Sequence, residues 1–267
     1  MKSKSSEMLL RRAEKTSPIP ATERCWEKFD RRSSRRMGTP PDGTHGPHVF
    51  VANLENPLLE DKDQHHFERV LRLRPSSPIT ISDGTGRWRE AIFNSDIEIT
   101  GEIIFVPPPA TPIVIGFVVP KGDRPSWIVQ KLTELGVDEI HLLSSKRSVV
   151  HWNGAKAKAQ QERLTRIAKE AAMQSRQVRV PQITQIRSVG EAAAQSGAVL
   201  AHRNGCPVTL KHPVIYIGPE GGWEQSELDH KNTINLGSSV LRSETAAIAA
   251  GAALSLLRQD VLDNHSP

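Results

Sequence analysis

Residues 214–257 read VIYIGPEGGWEQSELDHKNTINLGSSVLRSETAAIAAGAALSLL. Val214–Ile217 is a β-branched and aromatic run too short for a helix, and Gly218, Pro219, Gly221 and Gly222 follow it with turn chemistry. The text thus opens as a strand running into a tight loop. Glu224 and Glu227 suit an acidic helix start, Thr233–Leu236 gives a second short strand, and Gly237 breaks that strand just before Val240, Leu241 and Arg242. A second loop therefore follows a second strand. Ser243 is placed to cap a helix over Glu244–Arg258, whose alanine-rich body has high helix propensity and whose small side chains permit close backbone approach.

Two glycine loops at the ends of neighbouring strands, lined by backbone N–H and C=O groups, predict a ligand cleft of the kind found in open α/β sheets. A nucleotide-like cofactor is its natural occupant. The spacing alone is equally compatible with plain turns in a parallel sheet. No G-x-G-x-x-G follows a strand and no G-x-x-x-x-G-K-[ST] occurs, so the dinucleotide and P-loop phosphate cradles are excluded.

The wording of the stretch is more specific than its spacing. Ile217-Gly-Pro-Glu-Gly-Gly222, Leu236-Gly237 and Leu241-Arg242-Ser-Glu244-Thr245-Ala246 closely resemble the RsmE family of ribosomal RNA methyltransferases, within the SPOUT superfamily. The resemblance implies an α/β fold: a SPOUT-type, trefoil-knotted, parallel-sheet methyltransferase domain preceded by a small PUA-like β-barrel. It implies S-adenosylmethionine held by Ile217, Gly218, Pro219, Glu220, Gly221, Gly222, Leu236, Gly237, Leu241, Arg242, Thr245 and Ala246. It implies methylation of N3 of one uridine in 16S ribosomal RNA of the small ribosomal subunit, by a homodimer that uses no metal. Two rivals remain open: a non-catalytic RNA-binding protein with a nucleotide-holding α/β domain, and a methyltransferase for another base.

The charge of the chain divides unevenly. Residues 1–46 hold 11 Lys and Arg against 6 Asp and Glu, which is the whole formal charge of +5, and the other 221 residues balance at 24 against 24. The high pI is thus a property of the tail and does not by itself mark the body as a nucleic-acid binder. Residues 1–46 mix charge with Ser, Pro and Gly without an apolar period, which predicts disorder. The family resemblance starts close to His48, which makes Met37 an alternative start. Cys25 and Cys206 are the only cysteines, which excludes a disulfide framework and suits a reducing cytoplasm. No run of 18 apolar residues is present, so no membrane span is expected.

From residue 47 to 106 the text is strand-like, in Val49–Ala52, Ile79–Ile81, Arg89–Phe93 and Ile97–Val106, with Asp83-Gly84-Thr85-Gly86 as a hairpin turn. A small β-barrel is expected there. Inside it, Asp63–Arg72 reads as a short helix carrying His65, His66, Arg69 and Arg72. Adjacent histidines on a helix point about a hundred degrees apart, so a solvated or RNA-facing side is favoured over a metal site. Pro107–Pro109 starts a stiff linker over residues 107–112, and the methyltransferase domain is placed at 113–260. Ile113–Val119 is a continuous apolar run suited to a strand buried on both faces, Trp127–Leu135 a helix ending at Gly136, and Ile140–Leu143 the next strand. That is a βαβ unit.

Lys121, Gln130–Gly136 and Arg147–Val150 also resemble the family text. Arg163–Ser175 is an amphipathic helix with Leu164, Ile167, Ala168 and Ala171 inward and Arg163, Arg166 and Lys169 outward. Where the family continues Glu-Gln-Ser-Gly-Arg, this chain has Met173-Gln174-Ser175-Arg176-Gln177, so the glycine is missing and the arginine comes one place early. Lys121, Arg166, Gln174 and Arg176, with His65, His66, Arg69 and Arg72, are the implied RNA contacts. Transfer of a methyl to N3 requires an aligned acceptor, loss of the N3 proton and stabilisation of the resulting anion. Arg242 is the candidate for the electrostatic role. Glu244 is a candidate proton acceptor or, more simply, an anchor for the helix start.

Overall fold

The computed structural model describes residues 38–59 and 61–262, with only the backbone described at residues 61, 62, 66 and 70. Residues 1–37 of the expected tail lie outside the described residues. Its remaining part, 38–46, is packed: Thr39 O accepts from the Trp88 indole at 2.8 Å, and Gly46 O accepts from Arg176 at 3.3 Å. These carbonyls satisfy donors that would otherwise be buried unpaired, which is the physical reason why this part does not behave as a free tail.

The first sheet contains β1 (His48–Phe50), β2 (Ser77–Ser82), β3 (Arg87–Phe93), β4 (Ile97–Ile99) and β5 (Ile104–Phe105). Its order is β1-β2-β3-β4, with β5 also on β3; β1 runs parallel to β2 and the other pairs are antiparallel. The β2–β3 hairpin turns at Asp83, whose Oδ1 accepts from Thr85 N at 2.8 Å and Arg87 N at 3.2 Å. Alternation along the strands sends Val49, Ile79, Ile81, Ala91 and Phe93 into one core with Leu54 and Phe67. Phe67 meets Phe93 edge to face, with ring centroids 5.5 Å apart.

The helix expected over Asp63–Arg72 takes a different form. Helix α1 (Asp61–His65) passes directly into a π-helical turn, His66–Val70, and Arg72 lies beyond it at φ 51°. The wider turn delivers Phe67 to the core, while Gln64 still donates to Glu68 four residues on at 3.1 Å.

The second sheet is wholly parallel. It contains β6 (Val114–Val118), β7 (Glu139–Ser144), β8 (Gln182–Ile183), β9 (Arg187–Ser188), β10 (Val199–Pro207), β11 (Val214–Ile217) and β12 (Thr233–Asn235). The order is β12-β10-β11-β6-β7-β8, with β9 also on β7. Every residue of β6 is buried, as its continuous apolar run requires. Helices α2 (Arg124–Glu134), α3 (Gly154–Gln174) and α6 (Ser243–Arg258) cover one face through Ile128, Leu132, Leu164, Ala168, Ala247 and Leu254. Helix α4 (Val189–Ser196) covers the other, packing Ala192 and Ala193 with Leu143, Leu200 and Tyr216. A one-turn helix α5 (Gln225–Leu228) starts with a reciprocal Glu224–Glu227 capping box.

The end of α3 joins the two sheets. Met173 packs into the first core, and the following residues bond to the hairpin: Gly86 N donates to Val178 O at 2.9 Å, and Arg179 donates to Val106 O at 2.7 Å. Arg176 sits at φ 56°, the left-handed conformation that ends helices, while Gln177 N donates to Ala172 O at 2.8 Å. The arginine therefore occupies the backbone position where the family text has glycine.

Candidate functional site

The middle of β10 and the C-terminal ends of β11 and β12 surround a cavity of about 470 Å³. Its first wall is the loop Gly218–Gly222, which closes a turn through Gly222 N to Pro219 O at 2.8 Å. The second is Leu236–Leu241, started by Gly237 N donating to Asn235 Oδ1 at 2.6 Å, with Gly237 at φ 115°. Gly218 has to be glycine, since a Cβ there would lie 2.9 Å from the Trp223 ring. That ring is buried, and its Nε1 donates to Ala201 O at 3.0 Å, tying the first loop to β10.

Ten of the twelve residues implied for the cofactor line this cavity: Ile217, Gly218, Pro219, Glu220, Gly221, Gly222, Leu236, Gly237, Leu241 and Ala246. Arg242 and Thr245 are exposed and are not part of its wall. Arg242, not Ser243, is the N-cap of α6, with extended backbone and no side-chain cap; Ser243 is already helical and buried. A serine inside the first turn faces the protein, which leaves the arginine free to project.

Glu244 is 8 % exposed and does not line the cavity. Its Oε1 lies 3.8 Å from Nε of Arg124, and the same guanidinium donates to Glu220 Oε1 at 2.5 Å. One arginine at the start of α2 thus bridges the first loop and the first turn of α6. On the far side of the first loop, Arg147 donates to Gly221 O and Glu224 Oε2, each at 2.9 Å. Lys146 N donates to Glu227 Oε1 at 2.9 Å. The loop is held by cations from two directions.

Arg124, Trp223, His202 and Arg203 were not among the expected site residues. The tryptophan directly after Gly222 was the one visible signal, an aromatic with no strand or helix to belong to. The wall from β10 had none, because His202-Arg203-Asn204 reads as an ordinary polar segment.

The implied RNA contacts are spread over several elements. His65, Arg69, Arg72, Lys121, Arg166 and Gln174 are all exposed, and no hydrogen bond or ion pair joins any of them to another among the described residues. The side chain of His66 lies outside the described residues. Arg176 differs from expectation: it is half-buried at the junction, where its guanidinium bonds Gly46 O and packs on Gly43. Nearby, burial pushes the His48 imidazole down to about 4, helped by the positive charge of Arg176. Among the described residues no cluster of His, Cys, Asp and Glu is arranged to hold a metal, and no helix is long and apolar enough to cross a membrane.

Comparison with known proteins gives this geometry a context. The family model for an RNA methyltransferase domain matches residues 107–255. The chain is 31 % identical over 243 residues to ribosomal RNA small subunit methyltransferase E of Bacillus subtilis, covering 76 % of this chain and 92 % of the relative. It is 25 % identical over 225 residues to the protein of the same name from Mycobacterium bovis, covering 75 % and 86 %. Among solved structures, ribosomal RNA small subunit methyltransferase E of Neisseria gonorrhoeae bound to S-adenosyl methionine matches with a TM-score of 0.68 and 27 % identity, over 80 % of this chain and 98 % of that one. The two glycine-loop segments, Gly218–Gly222 and Leu236–Leu241, fall inside the matched domain, and the chain belongs to the ribosomal RNA small subunit methyltransferase E family.

Proposed function

We infer that the protein uses S-adenosylmethionine to methylate N3 of one uridine in 16S ribosomal RNA, in the cytoplasm, within the small ribosomal subunit. The observation that carries this reading is the single cavity shared by the two glycine loops. Its volume of about 470 Å³ suits a nucleoside-sized ligand, and it combines apolar walls from Ile217, Leu236, Leu241 and Ala246 with the backbone groups of the loops. When bound, S-adenosylmethionine supplies an electrophilic methyl on a sulfonium.

The chain's own residues would do the rest. Arg242 stands between Leu241 and Ser243, both of which line the cavity, and its guanidinium has no hydrogen-bond or ion-pair partner among the described residues. An unpaired, permanently charged group there is suited to stabilise negative charge on the carbonyls flanking N3 as the N3 proton leaves. Glu244 fits the anchoring role better than that of proton acceptor, because it is buried against Arg124 and away from the cavity wall. Since N3 lies on the pairing edge of uridine, the base must be turned out of any helix first. The small first sheet, in this reading a PUA-like module over 47–106 ahead of a domain at 113–260, would grip the RNA backbone while the cavity receives the base.

The knotted path belongs to the same reading. After β12 at the sheet edge, α6 packs on β6 and β11 in the middle, so the chain turns back across the strand ends close to the first loop, as a knot would need. A homodimer is also part of it: Val240, 89 % exposed beside the cavity, is an apolar surface for a second copy to cover. Nucleoside mass spectrometry of 16S ribosomal RNA from cells lacking the gene tests the reading. Loss of 3-methyluridine, restored by methylating isolated small-subunit particles with the pure protein, is expected; an unchanged nucleoside profile would refute it. Sedimentation that stays monomeric at all concentrations would remove the dimer.

A further inference from the structure

The cavity wall carries three ionisable side chains: His202, Arg203 and Glu220. Glu220 is already matched by Arg124 at 2.5 Å. Arg203 has no hydrogen-bond or ion-pair partner for its guanidinium among the described residues, and arginine stays protonated at any working pH. The wall therefore holds one unmatched fixed positive charge.

The backbone that carries this arginine is firmly placed. Pairing between β10 and β12 shifts register between Ala201 and Cys206, so residues 202–205 leave the ladder as a bulge. Gly205 lets the bulge lie flat on β12, since a Cβ there would stand 2.4 Å from the backbone of Ile234. Asn235 then donates to Arg203 O at 2.5 Å while accepting from Gly237 N. One side chain thus ties the backbone of Arg203 to the second glycine loop. A guanidinium on such a support is built for a planar anion, which it can meet with two parallel hydrogen bonds.

We propose that Arg203 is an anion subsite on the β10 side of the cavity, and that it takes the carboxylate of the cofactor's amino-acid tail. This rests on the S-adenosylmethionine reading above. The subsite would fix which way round the cofactor lies, with its tail toward β10. An RNA phosphate carries the same chemistry, and the experiment separates the two sources.

Decarboxylated S-adenosylmethionine differs from S-adenosylmethionine by that carboxylate alone, so calorimetry with both compounds on wild type and Arg203→Ala forms a complete cycle. The wild type should prefer the carboxylate-bearing compound by about tenfold, as expected of one charge-assisted contact, and Arg203→Ala should bind the two alike. Arg203→Gln, which keeps the stem, should behave as Arg203→Ala does, and thermal melts of all three proteins should coincide. Retention of the tenfold preference in Arg203→Ala would overturn the assignment. So would unchanged cofactor affinities combined with weaker RNA binding whose salt slope falls by about one, which would assign the anion to a phosphate. If the wild type binds neither compound, the S-adenosylmethionine reading itself falls, and this subsite with it.

Discussion

Arg124 faces two carboxylates at different distances, and burial, not distance, should decide which contact matters. Glu220 is the nearer, at 2.5 Å, but its side chain is 43 % exposed; Glu244 is at 3.8 Å with a side chain 11 % exposed. At an effective dielectric of about 20, the longer contact is still worth roughly 4 kcal/mol before desolvation is counted. Water screens the exposed pair to within about 0–1 kcal/mol. Desolvation offsets much of the gain at Glu244 as well, but deleting Arg124 leaves a buried carboxylate without its cation, a loss of about 1–3 kcal/mol. Arg124→Ala should therefore destabilise by about 2 kcal/mol, and Glu220→Ala by less than about 0.5 kcal/mol. Urea denaturation of the single and double variants measures the coupling energies directly. A coupling near 1 kcal/mol is expected for Arg124 with Glu244→Gln and one near zero for Arg124 with Glu220→Ala. The reverse order would refute the reasoning, because it would make proximity outweigh burial.

Three further outcomes are expected. Arg242→Ala should slow single-turnover methylation of small-subunit particles by roughly two to three decades, about 3–4 kcal/mol, while the melting temperature stays nearly unchanged; near-normal turnover would move the electrostatic role elsewhere. At position 176, where φ is 56°, glycine should be more stable than alanine by about 1 kcal/mol in urea denaturation, a preference that would vanish if the backbone relaxed. His48 is held near 4, below its unfolded value of 6.5, so its contribution is fully present above pH 6.5 and fades as pH falls toward 4. That loss, of the order of 3 kcal/mol, should be missing in His48→Asn, and equal pH profiles for the two proteins would contradict it.

What the sequence made legible followed from local chemistry. The run Ile113–Val119 identified a strand buried on both faces, and the glycines at 218, 221, 222 and 237 located both loops of the cavity, because turn chemistry is written in the residues that make the turn. Other elements gave weaker signals. Helix α3 begins at Gly154, well before Arg163, because Lys156, Lys158 and the alanines between and after them form no apolar stripe. Helix α4 and strand β10 went unread, although Ser188 and Glu191 form a capping box and Ala198–Ala201 is apolar. The bridge from Arg124 to Glu220 spans 96 residues, and no periodicity encodes such a contact. The β10 wall failed for a related reason: His202 and Arg203 enter the cavity only because a register shift lifts them out of the ladder.

Helix α3 is anchored in one core by Leu164 and Ala168 and in the other by Met173, some five to nine residues further on. At about 1.5 Å of rise per residue, the gap between the two anchors is fixed at roughly 8–14 Å, and their angular offset is fixed with it. If the first sheet grips RNA as proposed, the helix would act as a ruler, setting how far the bound strand must reach before a turned-out base arrives at the cavity. A single inserted residue between Ala168 and Met173 would lengthen it by only ~1.5 Å but swing Met173 and Arg176 round by about 100°. The calibration is therefore one of phase more than of length, and it is set by the residue count of α3 between its two anchors.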